Sequence, residues 1–466
     1  MLIRRKTASI MGLALLSLML HTTDTYAEIP AWYGTERALT TSAEGHVLTN
    51  ANVWSPDGSR IVYDVRTGDR FDGTRIATVE LSSGRIQTLF ESRQGACCGV
   101  ATFSPVDERV VFILGPEHPS PDWNYSFTHR RGFVVETASP GTGRPLDAMN
   151  YAPPFVSGAL RGGSHVHVFS PDGRWVSFTY EDEVLARLDA APNAPAHEPN
   201  QRNVGIAVPG GPVSVARNHP RNNDGDWFSV LVTRTVAVPR PGSDEISRAY
   251  EEGWIGVDGY VRMDGSRQKR ALAFLGLVTA ASGTRHAEVF VADLPEQLGQ
   301  SGGVAIGGTE TTRPSPPPGI VQRRLTFTSE RRHPGVTASP RHWLRSSPDG
   351  SLIAFLMQDD AGVVQFWTVS PRGGSPLQLT RNEYGISSAF TWSPDGHYLA
   401  HTCDGSVCVT DTATGETRRL TPRRVGADAP LPLACVFSPD GRRIAFQREV
   451  SAGAARFPQI FIVTLP

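Results

Sequence analysis

A short pattern, an aromatic residue followed by Ser-Pro-Asp-Gly, constrains the fold of this chain more than any other feature. It first occurs as Trp54-Ser55-Pro56-Asp57-Gly58, ahead of the strand-like run RIVYDV. It returns at Phe169-Ser170-Pro171-Asp172-Gly173, Trp392-Ser393-Pro394-Asp395-Gly396 and Phe437-Ser438-Pro439-Asp440-Gly441, and without its aromatic at Ser347-Pro348-Asp349-Gly350. A diverged copy, Phe103-Ser104-Pro105-Val106-Asp107, precedes ERVVFIL. Serine at the first position bonds the backbone, proline presets φ at the second, and glycine supplies a left-handed exit. Each copy therefore joins two antiparallel strands.

After the second strand most copies continue into another β run and a Gly-containing turn, as in QFWTVSPRGGSPLQLT, giving four strands per unit. The last three copies start at Ser347, Ser393 and Ser438, 46 and 45 residues apart, which is the period of a propeller blade. A four-stranded sheet cannot cover both of its faces alone, whereas circular stacking does. The expectation is an all-β chain forming a single β-propeller of four-stranded antiparallel blades, seven in number, with six or eight as alternatives.

Between Ser170 and Ser347 the motif is missing for far more than one period. Insertions and a degenerate blade are expected within about residues 185–340, with strands among WFSVLVTRTVAV, ALAFLGLVTA and AEVFVADL. Ser243–Tyr250, with Glu245, Glu251 and Glu252 nearby, suits a lid helix or a solvated surface helix. The run QIFIVTLP reads as the third strand of the last blade, and a strand near Arg37–Thr41 is placed to supply its fourth, closing the ring and protecting the sheet edge.

Residues 1–27 combine a basic start (Arg4, Arg5, Lys6), an apolar run from Ile10 to Leu20 and a small-residue site ending at Ala27. This is the pattern of a signal peptide, so residues 28–466 are expected to be a periplasmic or secreted protein. The apolar run is about half the roughly 20 residues that span a bilayer, so no transmembrane anchor is expected. A formal net charge of −1 gives no overall field toward nucleic acid. Five cysteines are too few for a disulfide scaffold. Cys403 and Cys408 flank a plausible hairpin loop and are candidates for one bridge, while adjacent Cys97 and Cys98 read best as small strand residues.

In a propeller the first strand of each blade lines the central channel, so residues just before each turn converge there. Asn50, Gly99, His165, His342, Ser388 and Leu433 occupy one such position. His165 and His167, two apart, fall on one strand face if alternation holds. With His342 they form a candidate metal site of three neutral nitrogen donors, in which His118, His129 or His333 could substitute. Solvated or hydrogen-bonded channel histidines are the alternative, so no cofactor is certain, and a divalent metal is the one this pattern would admit. Arg130, Arg131, Arg161 and Arg341 form a second set, suited to pairing bidentately with carboxylates of acidic sugars or to bridging carbonyls or neighbouring blades. The ligand-binding candidates are thus Asn50, His129, Arg130, Arg131, Arg161, His165, His167, Arg341 and His342. Gly162-Gly163-Ser164-His165-Val166 lacks the final glycine of a Gly-x-Ser-x-Gly elbow, and no Gly-Lys-Ser/Thr phosphate loop occurs.

The Ser-Pro-Asp-Gly blades resemble those of TolB-type propellers, a similarity that implies fold alone. Over nearly the whole mature chain the sequence is similar to the YidR family of bacterial propeller proteins, whose function is unassigned. The likeness is carried by HVLTNANVWSPDG, HRRGFVVE from His129, GALRGGSHVHVFSPDG, PGSDEISRAYEEGW, GTETTRPSPPPGIVQRRLTFT and PRHWLRSSPDGSLIAFLMQDD. The signal peptide and the insert around Asp258–Lys269 depart from that pattern. A distant resemblance to oligogalacturonate lyases, which are propellers with histidine-ligated metal, covers only blade turns and scattered histidines. The leading expectation is a noncatalytic propeller that binds a small molecule, a glycan or an envelope protein at its channel or loop face. The alternative is a metal-assisted, lyase-like enzyme acting on acidic oligosaccharides.

Overall fold

In the repeated turns the Ser-Pro-Asp-Gly pattern closes one recurring pair of side-chain hydrogen bonds. The computed structural model describes residues 29–67, 71–298 and 304–466; residues 1–27, read above as a signal peptide, lie outside them. In the first turn the Ser55 hydroxyl donates to Asp57 at 2.5 Å and accepts from the Arg60 N–H at 3.0 Å. The same pair of bonds recurs at Ser170, Ser347, Ser393 and Ser438. The Ser55 hydroxyl and the Ser59 amide hold the Asp57 carboxyl down to about 2. Gly58 exits at a φ of 66° and Gly396 at 78°, where a Cβ would be strained. In the diverged copy Asp107 instead clamps Arg109, at 2.9 and 2.6 Å.

These turns organise seven four-stranded antiparallel sheets. Their innermost strands are His46–Val47, Cys98–Phe103, Gly162–Phe169, Ala249–Trp254, Arg345–Ser346, Thr391–Trp392 and Cys435–Phe437, for blades 1 to 7 in order. Between blades the cores are apolar: Val53, Ile61 and Val79 of blade 1 pack with Val436, Ala445 and Ile462 of blade 7. Ring closure follows the expectation. The N-terminal strand Thr35–Ala38 pairs antiparallel with Ala455–Thr464 as the outer strand of blade 7, Thr35 opposite Thr464 and Ala38 opposite Phe461.

Blade 4 is the degenerate one, and its inner strand is a correction. Ser243–Tyr250 forms no helix: turns lead into Ala249–Trp254, the channel strand. Local propensity yields because the second strand, Arg270–Thr279, would otherwise leave an unpaired edge facing the channel. Ser247 N–H donates to Leu277 O at 3.0 Å, and Ile246 and Ala249 enter the core. ALAFLGLVTA and AEVFVADL are the second and third strands of this blade, whereas WFSVLV supplies the outer strand of blade 3, Phe228–Leu231. The Asp258–Lys269 insert is a small hairpin, Tyr260–Val261 against Arg267–Gln268.

The cysteines of the described residues are all free thiols. In the hairpin Cys403 lies opposite Ser406 and Cys408 opposite His401, so the two sulfurs are diagonal rather than directly paired. Among the described residues no helix is long and apolar enough to cross a membrane.

Candidate functional site

Three neighbouring blades break their inner strands at one place. Pairing slips between Gly99 and Thr102 in blade 2, His165 and Val168 in blade 3, and Tyr250 and Gly253 in blade 4. At each slip a non-glycine residue three positions before the blade's aromatic is left-handed: Val100 (φ 59°), Val166 (55°) and Glu251 (55°). A β-branched residue in that region is a genuine outlier. Bulges of this kind re-aim side chains and concentrate near functional sites.

In blade 4 the bulge buries two adjacent carboxyls. Glu251 accepts from Arg341 Nε at 2.9 Å and Glu252 from the Thr179 hydroxyl at 2.9 Å, and each keeps one buried oxygen without a partner. Burial pushes both carboxyls up, Glu252 to about 7. From blade 5 Arg345 reaches across the channel and donates to Asn50 of blade 1. Burial brings the Arg345 guanidinium down to about 10, opposed by the charges of Glu252 and Glu251.

At the end of the channel opposite the Ser-Pro-Asp-Gly turns, arginines from four successive blades crowd together. Arg130 and Arg202 both lie over the Phe127 ring, at 5.0 and 5.4 Å. Arg202 is held by Glu181 at 2.6 Å, and Arg248 stacks on Tyr250 at 4.6 Å. Arg341 stacks on Trp343 at 4.5 Å. Two carboxylates, Glu181 and Glu251, answer the four cations. Arg130 is only 5% exposed and donates to Tyr125 Oη at 3.3 Å, yet its Nε and Nη2 have no partner. The buried Nε of Arg248 is likewise unpaired. Burial lowers both guanidinium groups from their ordinary values.

His165 sits among these cations. Burial, then the charges of Arg130, Arg202 and Arg341, hold its pKa well below the ordinary value, so its ring is neutral near pH 7. Its Nδ1 faces Thr179 O at 3.4 Å. The bulge at Val166 breaks the alternation that would have put His167 beside it. His167 is fully buried against Ser164 Oγ (3.0 Å) and Asp147 (3.8 Å). His342 uses both nitrogens on backbone, Nδ1 on Pro340 O at 2.9 Å and Nε2 accepting from Leu356 N at 3.2 Å, and burial takes it down to about 4. The three rings are therefore not gathered into a donor set. Among the described residues no group of three or more His, Cys, Asp or Glu is placed to hold a metal ion.

The remaining expected residues separate. Arg161 is buried, pairing with Asp182 at 2.7 Å and donating to the carbonyls of Thr309 and Thr312. It bridges carbonyls, the second of the two readings offered for the arginines. His129 and Arg131 line another pocket of about 230 Å³. There His129 stacks on Trp123 at 3.9 Å and meets Glu183 at 3.0 Å, and Arg131 donates to Asn223 at 2.9 Å. Arg202, Arg248 and Glu181 were not singled out from sequence, and Glu252 was noted only beside the segment read as a helix. A usable signal existed for three arginines: Arg130, Arg202 and Arg248 each immediately precede a blade strand, which seats them at the same end of the ring.

Comparison with known proteins places this geometry in a family. The chain is 45% identical over 414 residues to the uncharacterized protein YidR of Escherichia coli K12, covering 88% of this chain and 94% of that protein. The chain belongs to the YidR family. A family model described as a protein of unknown function, DUF3748, matches residues 97–223, a span that includes the bulges at Val100 and Val166 and both Arg130 and Arg202. Among solved structures, an oligogalacturonate lyase in complex with manganese aligns over 95% of this YidR-family chain and 96% of its own, with a TM-score of 0.53 and 13% identity. The oligogalacturonate lyase of Vibrio parahaemolyticus aligns over 93% and 94%, with a TM-score of 0.52 and 9% identity. At these identities the likeness is one of fold.

Proposed function

We propose that this propeller binds an anionic, carboxylate-bearing ligand, an oligosaccharide of acidic sugars, at the arginine-rich end of its channel. The observation that carries this reading is the unpaired guanidinium nitrogens of Arg130 and Arg248, within a cluster where four arginines face two carboxylates. Buried donors without acceptors are costly, and a ligand carboxylate meets that need with charge-assisted bonds. Tyr250 and Trp343, each already under an arginine, add the flat apolar surface that sugar rings use. The fold shared with two oligogalacturonate lyases supports the choice of an acidic sugar.

Titration calorimetry with di- and trigalacturonate against neutral cello-oligosaccharides tests this. The acidic oligomers are expected to bind saturably, and Arg130→Ala with Arg248→Ala to weaken them by about tenfold to a hundredfold, the worth of a charge-assisted bond. Equal affinity for acidic and neutral oligomers would exclude the reading. One observation favours a second reading, catalysis: Glu252, bonded by the Thr179 hydroxyl with one buried oxygen unpartnered, is pushed by burial up to about 7, the acidity of a proton-transfer group at neutral pH. Formation of unsaturated product from trigalacturonate by the wild type, lost in Glu252→Gln, is the result that reading requires.

A further inference from the structure

The other end of the channel is a different chamber. Where the Ser-Pro-Asp-Gly turns converge, a cavity of about 390 Å³ is lined by Trp54, Phe103, Phe169, Trp254, Trp392 and Phe437, one aromatic from each of six blades. The turn prolines, Pro56 through Pro439, line it as well. The indole N–H groups are spent on neighbouring blades: Trp54 donates to Val436 O at 3.0 Å, Trp254 to Val168 O at 3.0 Å and Trp392 to Arg345 O at 2.9 Å. The rings therefore offer the cavity carbon, not donors.

The hydroxyls of Ser346, Ser347, Thr391, Ser393 and Ser438 in this lining already donate within the fold, and two further polar side chains interrupt it. Arg345 borders the cavity; its Nη2 is taken by Asn50, its buried Nε has no partner, and its Nη1, beside Gly253, makes no hydrogen bond among the described residues. Asn52 also lines it, held left-handed at a φ of 51°, and its carboxamide has no hydrogen-bond partner among the described residues while its carbonyl accepts from Phe103 N–H at 2.7 Å. An apolar chamber with a few convergent polar groups, at the lower end of the ~300–1,000 Å³ of ligand pockets, is the ordinary form of a small-molecule site.

We infer that this chamber is a second binding site, specific for an amphipathic monocarboxylate whose apolar body fills the aromatic ring and whose carboxylate meets Arg345 and Asn52. The charge fixes the polarity of the head group: a guanidinium with free donors and an amide select an anion over an alcohol or an amine. The site stands apart from the arginine cluster proposed above, since neither Arg130 nor Arg248 lines it.

Octanoate and 1-octanol, titrated into the full chain by calorimetry and by tryptophan fluorescence, separate the contributions of tail and head. Octanoate is expected to bind saturably and about tenfold or more tighter than octanol. Arg345→Met should reduce octanoate to the affinity of octanol. Because that change also strips Asn50 of its partner, Asn52→Asp serves as the second variant: it keeps the size and the left-handed backbone but repels the head group, and should weaken octanoate about tenfold while sparing octanol. Octanoate binding no tighter than that of octanol, or unchanged in Asn52→Asp, overturns the inference. So does octanoate binding lost in the Arg130→Ala, Arg248→Ala pair, which would place the carboxylate at the other end of the channel.

Discussion

Arg161 separates scaffold from site most cleanly, because its chemistry suits a ligand carboxylate while its surroundings assign it to the fold. Its side chain is 1% exposed, its Nε pairs with Asp182 at 2.7 Å, and its two terminal nitrogens hold the carbonyls of Thr309 and Thr312. Asp182 in turn caps the helix Glu183–Ala190 by accepting from Leu185 N–H at 3.0 Å. Arg161→Ala would leave a buried carboxylate beside Tyr180 without its cation and the Thr309 carbonyl without a donor, while the Thr312 carbonyl keeps only the Thr309 N–H at 3.0 Å, and breaking a buried pair in this way costs about 3–5 kcal/mol. That is a large share of the ~5–15 kcal/mol by which folded proteins are stable. Urea unfolding of the variant should show the loss, and galacturonate titration at a temperature where it remains folded should match the wild type to within about twofold. An Arg161→Ala protein of full stability with binding weakened about tenfold would refute the assignment and return this residue to the ligand.

Other outcomes follow from the same structure. Glu252 carries a pKa raised from 4.5 to about 7, so its proton is held more tightly in the folded chain than in the unfolded. Its contribution is complete below about pH 4.5 and is lost as pH rises through 7, by at most about 3 kcal/mol. Glu252→Gln should flatten that part of the pH–stability curve, measured by urea unfolding between pH 5 and 8. Ser393→Ala removes the hydroxyl that accepts from Tyr398 N–H and donates to Asp395, and should cost about 1–2 kcal/mol in the same assay. Removing residues through Ala38 strips the outer strand from Ala455–Thr464, and gel filtration should then show self-association through the bared edge.

The sequence was most informative where one turn does one job. Serine, proline, aspartate and glycine at fixed offsets have a single good geometry, so the six blades that carry the turn and the closing strand could be read directly, while the seventh rested on the long gap and left six or eight open. Blade 4 was obscured because its channel strand, AYEEGW, carries charges at spacings a helix also tolerates; only the neighbouring strand's need for a partner decides. The bulges were invisible for a related reason. Nothing in the side chains of Val100 or Val166 favours a left-handed backbone, so the period-two alternation that put His165 and His167 together had no local sign of failing. Of the arginines, Arg130 and Arg341 were anticipated beside the channel, while Arg161 and Arg131 carry identical chemistry into other surroundings. What distinguishes them is which neighbours remain unpaired, a property of the packed molecule.

The strand Thr35–Ala38 has a consequence for the making of the protein. The last blade is built from both ends of the chain, and bonds such as Ser42 N–H to Gln459, at 3.2 Å, join residues 417 positions apart. A growing chain holds an open edge on residues 35–38 until residues 455–464 are made, so this contact of very long sequence separation closes the ring late.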